Sequence, residues 1–229
     1  NMVKEYLITL YDRSQEDFDS FEKFICNLSG MLKGNEELSP QSKFEFTVFD
    51  YYNHLYAPLV SINNGLKIEV SPVGLNKDEK RFIDLLKAYV NNNPSLFLDH
   101  KLYLLRNKAK VGIGFFEAGN FYPDFILWVA NDKKQYINFF DPKGIMMLDK
   151  NINNEKIMFF ETIKDLEKQL QKTDNSMDIV LNSFIMSGTS FSDVKIKYEE
   201  NNKIEYEKRN VLFLEDEDCM EKVFNKIIG

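Results

Sequence analysis

The sequence predicts an α/β fold in which a central mixed sheet is flanked by helices, preceded by a smaller N-terminal α+β extension. Three observations predict it. Phe82, Leu85, Leu86, Tyr89 and Val90 recur at helical spacing, and so do Ile157, Phe160, Ile163, Leu166 and Leu170. Four strand-like runs, 102–105, 111–116, 123–129 and 136–140, stand between those helices. The run 179–186 that follows the second helix is apolar and has the length of a buried strand. Helices and strands interleaved in this order pack as layers on one sheet.

The extension, residues 1–72, reads as a strand at 4–11 and a helix at 14–28 with Phe18, Phe21, Ile25 and Leu28 on one stripe. A strand at 44–49 follows. The runs 55–62 and 66–70 flank Asn63-Asn64-Gly65, a hairpin signal, because Asn and Gly accept the left-handed backbone of a tight turn. In residues 73–229, Asn76 is placed to cap the first helix, with Glu79 as its capping-box partner. Asn91-Asn92-Asn93-Pro94 stops that helix, since proline disfavours a helical predecessor. Asn131-Asp132 marks a turn between two strands. The second helix spans 154–170. Alternation on both sides of Asn201-Asn202 predicts a half-exposed hairpin over 194–206. A strand at 211–214 and a helix at 218–228 close the chain.

Composition narrows the function. The chain has 229 residues and is 44 % hydrophobic, enough for a packed core. No stretch approaches 18 consecutive apolar residues, so no membrane span is expected, and no secretory leader opens the chain. Cys26 and Cys219 are far apart and match no metal-ligand spacing, which suits a reducing cytoplasm. The net charge of −7 disfavours tight nonspecific binding to nucleic acid, whose backbone is held by Lys and Arg displacing counterions. A DNA-directed function would draw affinity from another domain or subunit. With two isolated histidines, a zinc site is not expected.

The residue pattern richest in chemistry is Pro123-Asp124 followed by Asp141-Pro142-Lys143. Asp124 opens one expected strand and Asp141 ends the next. Asp141 and Lys143 are two apart and leave a strand on the same face. Two carboxylates can hold Mg²⁺ while leaving positions for water and phosphate, and the Pro142 carbonyl offers a further oxygen. A lysine beside them can orient the water or neutralise developing charge. Asp141-Pro142-Lys143-Gly144 is equally a good type I turn, and a strand ending in that turn serves both readings. Gly112-x-Gly114 with Gly119 lacks the following helix of a dinucleotide site.

Five blocks in order sharpen the pattern: Leu75 to Phe82, Leu102 to Asn107, Gly112 to Phe116, Phe121 to Trp128, and Phe140 to Gly144. Together they resemble the PD-(D/E)XK nucleases, in the branch attached C-terminally to helicases of the type III restriction enzyme kind. The resemblance covers roughly residues 72–190. It implies a restriction endonuclease-like core and an endodeoxyribonuclease activity dependent on Mg²⁺, with Mn²⁺ able to substitute. It also implies that Asp124 and Asp141 ligate the metal, that Lys143 acts on the water, that Glu79 completes the site and that Arg106 touches DNA phosphate. The implied partners are DNA, an upstream helicase in the same polypeptide and a modification or specificity subunit. Residues 1–72 would be the junction with that helicase, making this chain a C-terminal piece. The alternative is a nuclease-like fold without catalysis that docks DNA or assembles a complex; an intact acid, acid and lysine set argues against it.

Overall fold

The computed structural model describes residues 7–10, 44–47, 59–62, 68–71, 74–107, 112–115, 118–143, 145, 152–173, 178–197 and 202–229. The chain divides into two compact units, residues 1–77 and 78–229. In the first, β1 (Leu7–Leu10) pairs antiparallel with β4 (Ile68–Ser71), and β2 (Phe44–Thr47) with β3 (Leu59–Ile62). The expected hairpin across Asn63-Asn64-Gly65 is therefore corrected. Its two flanking strands exist, but each finds its partner elsewhere in the sequence. The helix expected at 14–28 lies outside the described residues.

The second unit is an α/β layer structure. Its five-stranded sheet is mixed and runs in the order β5 (Lys101–Arg106), β6 (Phe125–Ala130), β7 (Lys134–Pro142), β8 (Asp178–Ser187), β9 (Val211–Phe213). The first three strands are antiparallel and the last two join in parallel. Asn131 makes the turn between β6 and β7, its Oδ1 accepting from the N–H groups of Lys133 at 3.0 Å and Lys134 at 2.8 Å. A short turn of this kind forces adjacent antiparallel strands, and that brings the entry of β6 beside the exit of β7.

Helix α1 (Lys77–Asn92) buries Phe82, Ile83, Leu86 and Val90. Phe82 packs its ring against Phe125 at 5.4 Å and Phe140 at 4.9 Å, so one aromatic side chain joins α1 to both β6 and β7. The helix ends where Asn93 turns its Nδ2 back onto the Tyr89 carbonyl at 2.8 Å and Pro94 follows. At its start, Asp78 lies against Gly188, just beyond β8; a Cβ at Gly188 would collide with that carboxyl. Helix α2 (Glu155–Thr173) is capped by Asn154, whose Oδ1 accepts from Lys156 N at 2.9 Å. Its buried face carries Ile157, Phe159 and Ile163. Phe160, expected inside, is only half-buried, and Leu170 is exposed.

Two expectations about strands fail. Of the run 111–116, the described residues contribute a single bridge, Phe115 to Phe121. Gly114 has a packing reason instead, since a Cβ there would meet the Tyr122 ring. The hairpin expected over 194–206 is replaced by two short helices, α3 (Phe191–Lys197) and α4 (Lys203–Lys208). Ser190 caps the first, its Oγ accepting from Asp193 N at 3.0 Å, and Asn202 caps the second by accepting from Ile204 N at 3.2 Å. The asparagine read as a turn residue is a helix cap. Phe191, Tyr206 and Phe213 then meet edge to face beneath β9. Helix α5 (Cys219–Ile228) closes the chain, with Phe224 stacked on Tyr89 of α1.

A polar ladder crosses the middle of this sheet. Buried Asn138 donates to the carbonyls of Leu127 and Tyr136 and accepts from Asn182 Nδ2 at 2.9 Å. Beyond it, β9 pairs with β8 only from Ile185 onward. Side chains of α2 serve the earlier edge: Glu167 accepts from Leu181 N at 2.7 Å, and Gln171 donates to Ile179 O at 3.1 Å. Asn138→Ala strands the buried Asn182 amide and is expected to cost about 1–3 kcal/mol in urea unfolding. Asn138 is three residues before Asp141 on β7 and so faces the other side of the sheet, and any site activity should survive.

Candidate active site

Three strands converge where the two acids lie. The β6–β7 register ends with Phe125 opposite Phe140, so Asp124 and Asp141 are the next residues at the adjoining strand ends. They are close enough there for the Asp141 charge to act on Asp124. The Asp124 N–H donates to the Phe140 carbonyl at 2.9 Å. On the other side, Asn107 N donates to the Asp124 carbonyl at 2.7 Å. Asn107, Asp124 and Asp141 thus form a row across the end of β5, β6 and β7.

Asp141 is 0 % exposed, and neither of its carboxylate oxygens accepts a hydrogen bond of regular geometry. Its charge partner is the Lys143 ammonium, with which it forms an ion pair. A buried carboxylate answered by one cation has unused lone pairs in a place where burial without partners is costly. Asp124 feels the same surroundings. Burial, then the Asp141 charge, then the Glu79 charge push its pKa up from the ordinary 3.8 to about 8, with Lys143 opposing. Close like charges of this kind are what a divalent cation relieves, so the donor set fits Mg²⁺ chemically.

Glu79 stands near the two acids. It is buried at the start of α1, and its Oε2 accepts from Arg106 Nη2 at 2.9 Å in a half-hidden ion pair. Its charge reaches Asp124, but among the described residues no three His, Cys, Asp or Glu side chains assemble as a metal-holding group. Arg106 stands opposite Phe125, one residue from Asp124, so it edges the site while engaged with Glu79. Trp128 packs against the core around Phe121, Phe139 and Ile163, in keeping with a packing role.

Sequence reasoning gave Asn107 no role. Its Nδ2 donates to the carbonyls of Pro123 at 2.9 Å and Ile113 at 2.7 Å, and its Oδ1 accepts from Ile113 N at 3.0 Å. The only local signal was an asparagine at the end of an expected strand.

No family model, curated protein or solved structure matches this chain. Among the described residues no helix is long and apolar enough to cross a membrane.

Proposed function

We propose that residues 78–229 are a metal-dependent endodeoxyribonuclease domain of the PD-(D/E)XK kind, the cutting part of a helicase-linked restriction or defence enzyme. The observation that carries this reading is the meeting of Asp124 and Asp141 at the adjoining ends of β6 and β7, with Lys143 paired to the buried Asp141. Asp124, Asp141 and the Pro142 carbonyl would hold Mg²⁺ or Mn²⁺. Bound there, the cation supplies charge neutralisation at the phosphate and an acidified water.

The residues divide the remaining work. Asp141 sits near the end of β7, where pairing with Ile185 of β8 fixes its backbone. With its pKa raised to about 8, Asp124 favours its protonated form near neutral pH, and a bound cation would favour the carboxylate instead. Lys143 Nζ, held by Asp141, is placed to orient the attacking water or to meet charge on the phosphate oxygens. Arg106 supplies a cation at the site's edge, anchored by Glu79. With a net charge of −7, the chain would rely on an upstream helicase and a specificity subunit for DNA affinity.

The test is nicking of supercoiled plasmid with Mg²⁺ or Mn²⁺, comparing the chain with Asp141→Asn and an EDTA control. Metal-dependent nicking that the substitution removes supports the reading. If nicking fails, Mn²⁺ binding that depends on Asp141 points to an activity needing the helicase. A chain that neither nicks nor binds Mn²⁺ overturns the reading in favour of a docking module.

A further inference from the structure

We propose that Asn107 is the positioning residue of this site, setting where Asp124 stands relative to Asp141; the inference rests on the metal-dependent reading above. Asp124 immediately precedes β6, and the chain entering a strand is free to fray unless something holds it. Three bonds hold it here. The Asp124 N–H reaches the Phe140 carbonyl, and the Asp124 carbonyl receives Asn107 N at 2.7 Å. The Asn107 side chain then takes the preceding peptide, donating to Pro123 O at 2.9 Å.

The same amide does more than hold one peptide. Its second N–H donates to Ile113 O at 2.7 Å, and its oxygen accepts from Ile113 N at 3.0 Å. One side chain therefore occupies both main-chain groups of Ile113 and ties them to the residue before Asp124. Two donors and one acceptor on a short stem are what asparagine carries. Aspartate has no donor and would set a carboxylate against two carbonyls. Serine can serve one of the three bonds. Alanine leaves three main-chain groups to find other partners. Asp124 would keep its two main-chain bonds, to the Phe140 carbonyl and from residue 107 N, but Pro123 before it would lose its anchor, and the spacing of the two carboxylates would vary.

A purely structural role predicts something different, and Asn131 provides the comparison. It pins the opposite end of the same β6–β7 hairpin through two bonds of its Oδ1, to Lys133 N at 3.0 Å and Lys134 N at 2.8 Å. The experiment measures Mn²⁺ affinity of the full chain by titration calorimetry for wild type, Asn107→Ala, Asn107→Ser and Asn131→Ala. Amide hydrogen exchange at Asp124 and Phe125 is measured without metal. Asn107→Ala should bind Mn²⁺ about 10- to 100-fold more weakly, as removal of a residue that orients a ligand does. Exchange at Asp124 and Phe125 should quicken about tenfold or more. Asn107→Ser should fall between and serves if the alanine variant does not fold. Asn131→Ala should keep Mn²⁺ affinity within about twofold while losing stability. Asn107 variants that keep wild-type Mn²⁺ affinity, or an equal loss in Asn131→Ala, overturn the positioning role alone. Wild-type protein that binds no Mn²⁺ overturns the metal reading and the positioning role with it.

Discussion

Lys143→Ala is expected to lower Mg²⁺-dependent nicking of supercoiled plasmid by about 10²–10³-fold, the usual consequence of removing one charge-stabilising donor from a hydrolytic site. Two effects would contribute, and they can be separated. The first is chemical, the loss of the cation beside the phosphate. The second is structural, because Lys143 is the charge partner of an Asp141 shut off from solvent. Leaving that carboxylate alone should cost about 1–3 kcal/mol of folding stability in urea. The double variant Asp141→Asn with Lys143→Ala removes both charges and should recover most of that stability while remaining unable to nick. Full nicking by a folded Lys143→Ala protein would remove the lysine from the chemistry.

The second large effect concerns pH and the cation together. Asp124 binds its proton more tightly in the folded chain than in the unfolded one, since burial and the Asp141 charge raise its pKa from 3.8 to about 8. Its stabilising contribution is therefore complete below the unfolded value, and it is lost as pH rises through the folded one. Metal-free protein should become less stable across that window, and Asp124→Asn should flatten the dependence. Metal binding has the opposite sign. A cation must displace the proton, so Mn²⁺ affinity should rise up to about tenfold per pH unit below the folded pKa and level off above it. Calorimetry at several pH values in buffers of different ionisation enthalpy would count the released proton. Affinity independent of pH between 6 and 8 would mean that Asp124 is not displaced from its proton by the metal.

The parts of this site that could be read from sequence are those set by neighbours in the chain. Asp141 and Lys143 are two apart on one strand, and the Asn131 turn makes β6 and β7 adjacent, so the meeting of Asp124 with Asp141 follows from local signals. Asn107 reaches the site through the pairing of β5 with β6, a register that no local pattern specifies. The Glu79–Arg106 pair was hidden for a related reason. The spacing of Glu79 from Asn76 suggested a cap, and the resemblance suggested a ligand, whereas Arg106, 27 residues away, takes its Oε2. The same division runs through the fold. The turn signal Asn63-Asn64-Gly65 was genuine as composition, yet β3 and β4 pair with strands earlier in the chain. Val194, Ile196 and Tyr198 alternate like a strand, but Ser190 and Asn202 cap helices there, and burial of Val194 and Tyr206 against Phe213 decides the outcome. One-residue errors such as Phe160 for Phe159 arise because neighbouring apolar residues fit the same helical stripe.

The most direct measurement is the anomalous scattering of Mn²⁺ in crystals of this chain grown or soaked with the ion near pH 8. The account predicts one peak or a close pair between Asp124 and Asp141, with an oxygen of each carboxylate in its coordination sphere, and its loss in Asp141→Asn crystals. Fully soaked wild-type crystals with no peak between these carboxylates, or with Mn²⁺ bound only elsewhere, would contradict it.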